Sequence, residues 1–325
     1  MKVLPLVPLV PLLLRRAGHL LPVHLLPALF PPARFLPDRF LPDRLLPAHH
    51  LRLSAELLKA TALELAVLAG HVLLYPSGIA QERRPVPARL DPSGSSLDAP
   101  PRRQLDPPRL PTATGHRPVV LLHGFIDNRS VFVLLRRTLA KEGRQHVESL
   151  NYSPFTGDIR AAAEQLGRHI EDLCERTGQP EVDVVGHSLG GLIARYYAQR
   201  LGGDTRVRTL VTLGTPHGGT SVVPLMSAHP IVRQMRPDSD VIAELREPAP
   251  GCRTRFVSFW SDLDHVMAPL ETACVDHPDL LAHNVQVSGI GHLALPVHPA
   301  VTAGIRQAID SDEATRPMAG SASVA

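Results

Sequence analysis

The chain has 325 residues, 44% of them hydrophobic, with 34 Lys and Arg set against 31 Asp and Glu. That is enough apolar material for one large domain or two small ones. A net charge of only +3 and 4% aromatics leave nucleic-acid binding without its usual basic, aromatic surface. The three cysteines, Cys174, Cys252 and Cys274, and the 17 histidines form neither a C-x-x-C nor an H-E-x-x-H pattern. No metal site is legible, and no organic cofactor is implied.

Proline divides the chain, since 19 of its 33 prolines lie in residues 1–111. Residues 1–52 are rich in Leu, Pro and Arg, with a short repeat in Phe35-Leu36-Pro37-Asp38-Arg39 and Phe40-Leu41-Pro42-Asp43-Arg44. Proline at about every fifth position prevents a continuous helix, so an irregular segment is expected.

Residues 53–80 read as one apolar helix. Ser54 is the candidate N-cap, and Pro76 and Gly78 are the stop signals. Its uncharged part, Leu65 to Ala80, is about 16 residues long, short of the roughly 20 that a spanning helix needs. Arg15, Arg16, Arg34, Arg39, Arg44 and Arg52 precede it, so positive-inside logic puts the N-terminus in the cytoplasm. Three readings stay open: a membrane anchor or uncleaved signal, a long signal cut near Gly78-Ile79-Ala80, or a helix packed on the catalytic domain. The first two make the protein secreted or membrane-anchored on the outer face; a cytoplasmic location is the alternative. Residues 81–117 follow as a proline-rich linker.

From Pro118 the pattern becomes α/β. Strand-like runs are Val119–Leu122, Val147–Leu150, Val182–Val185, Val207–Leu213, Phe256–Trp260 and Val285–Val287. Helix-like runs are Val131–Lys141, Ile159–Arg176, Gly190–Leu201 and Pro299–Ile309. Apolar strands alternating with amphipathic helices predict a doubly wound, mostly parallel sheet with helices on both faces, over residues 118–310. Residues 311–325 are expected to be a disordered tail.

The most informative five residues are Gly186-His187-Ser188-Leu189-Gly190, a G-x-S-x-G between a strand-like and a helix-like run. A serine nucleophile needs that strand–elbow–helix context, because its neighbours in the sharp turn must be small. Asp264 follows the Phe256–Trp260 run by four residues, and His292 follows Val287 by five. Both therefore fall at the carboxyl ends of strands, where sites form in such sheets. The chain order Ser188, Asp264, His292 is the one that accompanies a nucleophile elbow. Asp262 competes with Asp264, and His277, His283 and His298 compete with His292, though none of these has its glycine-flanked position after a strand. Leu121-Leu122-His123-Gly124-Phe125 follows the first strand, so the backbone N–H groups of Phe125 and Leu189 are the candidate oxyanion hole. His123 and His187 are expected to be structural. His217 and Met226 are candidates for the substrate pocket, with a plain loop position as the alternative for His217.

The motifs His123-Gly124-Phe125, Gly186-His187-Ser188-Leu189-Gly190-Gly191 and Gly214-Thr215-Pro216-His217-Gly218 together resemble the bacterial triacylglycerol lipases and esterases of the α/β-hydrolase superfamily. The stretches Phe259–Asp264 and Asn284–His292 are similar to the end of the small Bacillus-type lipases and of related actinobacterial lipases. There the matching positions carry the acid and the base. The resemblance covers about residues 115 to 310 and implies a serine hydrolase of acyl esters or lipids, expected to be a monomer. An acyltransferase or thioesterase would use the same triad, and an idle tethered binding domain is the alternative of another class. Two departures stand out. The smallest lipases carry alanine where this chain has Gly186, and this chain has a longer segment between Pro216 and Arg255, read as a small cap over 216–254.

Two further expectations concern stability and organisation. If the domain is exported, a Cys252–Cys274 bond would close a loop of about 20 residues, worth about 3 kcal/mol in chain entropy, with Cys174 a buried helix thiol. Because every catalytic motif lies beyond residue 117, a form starting near Leu110 is expected to be soluble and active on small esters.

Overall fold

The computed structural model describes residues 48–78, 116–125, 127–152, 157–222 and 229–311. The sheet and the site lie within Leu51–Ala325. The expectations for residues 1–47, for most of the linker, for the 312–325 tail and for Met226 lie outside the described residues.

Six parallel strands form one sheet in the order β2-β1-β3-β4-β5-β6. They are β1 (Val119–Leu122), β2 (Val147–Leu150), β3 (Val182–His187), β4 (Val207–Leu213), β5 (Arg255–Ser261) and β6 (Leu281–Val287). The strand-like runs read from sequence match these to within a few residues. Side chains alternate across the sheet. Val120, Leu122, Val182, Val184 and Leu210 enter one core with α3 (Ile159–Thr177) and α4 (Leu189–Arg200). Val119, Leu121, Val185, Val211 and Leu213 enter the other, with α2 (Val133–Lys141) and α7 (Pro299–Asp310). Period-two alternation between two apolar layers makes β1 and β3 buried along their whole length.

The segment read as a cap is in part a piece of the core. It holds two short helices, α5 (Pro230–Arg233) and α6 (Asp240–Glu244). Their Ile231, Val232, Val241 and Ile242, with Leu245, are buried in the same cluster as α3 and α4. Glu244 fastens α6 to those helices, accepting hydrogen bonds from Arg160 and from the Tyr196 hydroxyl.

The helix α1 spans Ala48–Gly78, so it starts earlier than expected and ends at the expected stop, Gly78. Ser54 lies inside it rather than capping it, and Pro76 does not stop it. Outside partners meet the carbonyls at that end. The carbonyls of Tyr75, Ser77 and Gly78 accept from the side chains of Asn128 (2.8 Å), Arg129 (3.2 Å) and Asn151 (2.7 Å). Those contacts satisfy acceptors that the end of a helix otherwise leaves to water. By length and composition its Leu58–Gly78 portion could cross a membrane, with a mean hydropathy of 1.4.

The Cys252–Cys274 bond is not formed; all three cysteines are free. The carbonyl of Ala273, next to Cys274, accepts from Ser258 in the middle of β5, whereas Cys252 precedes the strand's first residue.

Candidate active site

The site sits at the carboxyl ends of β1, β3, β4, β5 and β6. β3 ends at His187 and α4 begins at Leu189, so Ser188 occupies the whole turn. Its φ of 52° is the one positive value on a non-glycine residue among those described. Such a conformation costs on the order of 1–3 kcal/mol and needs outside support. Here the Ser188 N–H donates to the Leu213 carbonyl (2.9 Å), and the Ser188 carbonyl accepts from the Thr215 hydroxyl (3.0 Å). Gly186 has a steric reason as well: a Cβ there would lie 2.5 Å from the backbone of Gly191. The tandem Gly190-Gly191 brings α4 closer than an alanine at 186 would allow.

His292 and Asp264 meet beside this turn. Nδ1 of His292 is 2.8 Å from Oδ2 of Asp264, with both residues buried. The other oxygen of Asp264 accepts from the Val266 N–H at 3.0 Å. Asp262 does different work, accepting from the Gly289 N–H at 2.9 Å and so holding the loop after β6. Burial pulls the His292 imidazole toward its neutral form, but the Asp264 charge and hydrogen bond outweigh it. With smaller help from Asp127 and Glu64, the net shift is upward. Gly214 lies against this pair, where a Cβ would stand 2.7 Å from Asp264 Oδ2 and 3.0 Å from His292 Nδ1. That contact is the reason for the first glycine of the Gly214-Thr215-Pro216-His217-Gly218 motif. The rival histidines are elsewhere: His283 is exposed on the edge strand β6, His298 caps α7, and His277 bonds to the Glu247 carbonyl.

The loop after β1 forms the opposite wall. Gly124 is next to Ser188, since a Cβ on Gly124 would come within 3.4 Å of the Ser188 Cβ. Tyr152 braces this loop. Its ring stacks on His123 with centroids 4.4 Å apart, and its hydroxyl is 2.7 Å from the His123 carbonyl and 2.9 Å from that of Gly124. Burial pushes the Tyr152 phenol well above its ordinary pKa, so it stays a donor. Phe125, half-buried at the end of the loop, meets the His229 ring edge-on at 5.0 Å. Leu189 is buried at the first position of α4, where its N–H belongs to the positive end of the helix.

His187 is buried, and its ring is 4.7 Å from that of His292. Its Nε2 donates to the His292 carbonyl at 3.1 Å, and its Nδ1 is 3.5 Å from Asp127. Burial holds its pKa below the ordinary value, so it is neutral at pH 7. His217 follows β4 in the Gly214–Gly218 motif. It is sunk in the interior with Nε2 2.9 Å from the Thr212 hydroxyl, and its pKa is held far down by burial and by Arg195.

Sequence reasoning missed Tyr152, Asp127, Thr215 and Glu64. Thr215 lies within a motif that the sequence does mark. The other three are brought in from separate elements, and nothing in their local sequence marks them.

Comparison with known proteins bears on the fold. Residues 117–238 match the family model of the alpha/beta hydrolase fold. The chain is 32% identical over 111 residues to triacylglycerol lipases of Pseudarthrobacter phenanthrenivorans and Burkholderia plantarii. That stretch is 32% of this chain and 34% and 30% of those proteins, so the match spans about a third of their length. Among solved structures, Aspergillus fumigatus lipase B is similar with a TM-score of 0.56 at 16% identity, covering 76% of this chain and 67% of that one. The mature form of Bacillus licheniformis lipase BlEst2 is similar with a TM-score of 0.50 at 14% identity, covering 62% of this chain and 94% of that one. Residues 116–311 carry the α/β-hydrolase fold.

Proposed function

We propose that this α/β-hydrolase domain is a serine carboxylic-ester hydrolase acting on acyl esters or lipids through Ser188, Asp264 and His292. The observation that carries the reading is the buried 2.8 Å contact between His292 and Asp264 at the strand ends, beside a serine held at positive φ. The Nδ1 proton of His292 is committed to Asp264, which leaves Nε2 as the acceptor for a proton from Ser188. The Ser188 oxygen then bonds to the ester carbonyl carbon, and the carbonyl π pair moves onto oxygen. The N–H groups of Phe125 and Leu189 receive that oxyanion; one such donor is typically worth about 2.7–4 kcal/mol. Collapse breaks the bond to the leaving alkoxide, which takes the proton from His292. Water repeats the cycle on the acyl-enzyme and releases the acid. The 32% identity to triacylglycerol lipases favours ester substrates over other acyl compounds.

Residues 53–80 supply the membrane association in this reading. Leu58, Leu65 and Leu73 of α1 are 70%, 55% and 80% exposed, while Glu64 and His71 face the catalytic domain. A helix held to the domain by its polar side lies along it, and its outward leucines suit the interface of a bilayer.

The test uses the full-length chain. Wild type should label with a fluorophosphonate at Ser188 and hydrolyse p-nitrophenyl esters, with the acyl-length series defining the pocket. Ser188→Ala should do neither while keeping its fold. Turnover retained above about one per cent of wild type would remove Ser188 from the role, since loss of a triad member commonly costs far more.

A further inference from the structure

The helix α1 does more at the site than its apolar composition suggests. Between Ala60 and Tyr75 its ionisable residues are Glu64, His71 and Tyr75. Glu64 and His71 are seven apart, two helical turns on one side, and both face the catalytic domain. The Glu64 carboxylate accepts the N–H of Leu293 at 3.1 Å and of Ala294 at 2.8 Å, one oxygen to each. These are the two residues immediately after His292. Gly291, the residue before it, leaves room for the carboxylate, because a Cβ there would lie 2.3 Å from the Glu64 carboxyl carbon. The fit is two-sided: a bare backbone where the acid enters, and two aligned donors where it ends.

The same segment is held from its other side. The His292 carbonyl accepts from His187 at 3.1 Å, His187 is 3.5 Å from Asp127, and Asp127 is 3.5 Å from His71 of α1. Asp264 orients the imidazole, but it does not touch the backbone that carries it. The Glu64 carboxylate of α1 does, through the Leu293 and Ala294 amides.

We infer that Glu64 is a positioning residue for the base of the reaction, and that α1 is part of the catalytic apparatus rather than only a tether. The role rests on the reading of His292 as that base. A carboxylate on two amides removes the freedom of a loop whose displacement by about 1 Å would cost about 10²-fold in rate. Its charge also adds to those of Asp264 and Asp127 in favouring the imidazolium. This bears on the expectation that a form starting near Leu110 is active on small esters: such a form lacks the clamp.

Glu64→Ala and Glu64→Gln in the full-length chain test the inference. The alanine variant should label with fluorophosphonate about tenfold more slowly or worse, with kcat falling and KM within about twofold. Hydrogen exchange at the Leu293 and Ala294 amides should accelerate. Glutamine keeps one acceptor and the side-chain volume, so it should recover much of the labelling rate. Both variants remove a charge that favours the imidazolium, so the acid limb of the labelling rate should move to lower pH. His292 is faced by Asp264, Asp127, Glu64 and His187, and only Glu64 is changed. Labelling within about twofold of wild type in both variants, with the limb unmoved, would overturn the inference. Equal loss in alanine and glutamine, with the limb unmoved, would do the same by reducing Glu64 to a packing group. If wild type itself does not label, the hydrolase reading has failed; the clamp is then judged by amide exchange, and unchanged exchange at Leu293 and Ala294 would end it.

Discussion

Two long helices of this protein carry their leucines in opposite directions. In α3, Ile159, Ala162, Leu166, Ile170 and Leu173 lie at helical spacing and are buried against the sheet. Its charged residues face outward, and Asp158 caps it by accepting from the Arg160 N–H. In α1, Leu58, Leu65, Leu68 and Leu73 face away from the protein, and Glu64 turns inward. The core of α3 is held by removal of apolar area from water. The seat of α1 is mostly hydrogen bonds: Glu64 to two amides, and Asn128, Arg129 and Asn151 to its last carbonyls. Val67 and Ala60 add a small apolar contact. A run of hydrophobic residues therefore does not say which way a helix faces; that depends on what lies on either side of it.

Changes at the site give the largest expected effects. Asp264→Asn should lower kcat by about 10⁴-fold, through the wrong tautomer and a less stable imidazolium. Asp262→Asn should cost far less, because its partner is the Gly289 amide. The reverse ranking, measured on a p-nitrophenyl ester, would move the acid to Asp262.

The next effects separate the two helices. Leu166→Ala should destabilise the domain by about 2–5 kcal/mol, read from denaturant unfolding. Leu73→Ser should leave unfolding unchanged, since Leu73 is already in contact with solvent. A destabilisation comparable to that of Leu166→Ala would show that the outer side of α1 has a protein partner. Leu65→Ser with Leu73→Ser should instead weaken sedimentation with phosphatidylcholine vesicles by about tenfold or more, from the apolar area withdrawn. Unaltered partition would mean that lipid is met elsewhere.

The smallest effect is one of pH. In the proposed reaction His292 must be neutral to take the proton from Ser188, and its net shift is upward. The acid limb of kcat/KM should thus lie above the ordinary imidazole value of about 6.5, with activity present above the limb and lost below it. A limb under that value would mean that burial outweighs the carboxylates supplied by the core and by α1.

Much of the site is legible in the amino-acid sequence. The elbow around Ser188 is local: small residues, an apolar strand before and a helix after. His292 is marked by its glycines, and the strands by runs of β-branched and aliphatic residues. The choice between Asp264 and Asp262 is not legible at two residues' separation. It turns on which carboxylate the end of β5 delivers to His292 and which one the loop after β6 engages. His217 shares a motif with Thr215 yet belongs to the interior, because Thr212 of β4 takes its ring nitrogen.

Local sequence determined the elements, their order along the chain and the serine turn, because these follow from side-chain period, glycine placement and strand ends within a few residues. Tertiary structure alone decided what comes from afar. It fastened the end of α1 to Asn128, Arg129 and Asn151, braced the His123–Phe125 loop with Tyr152, and brought Glu64 onto the backbone after His292 across 229 residues of sequence. Such contacts depend on which surfaces the packed sheet brings together, and no local pattern records that.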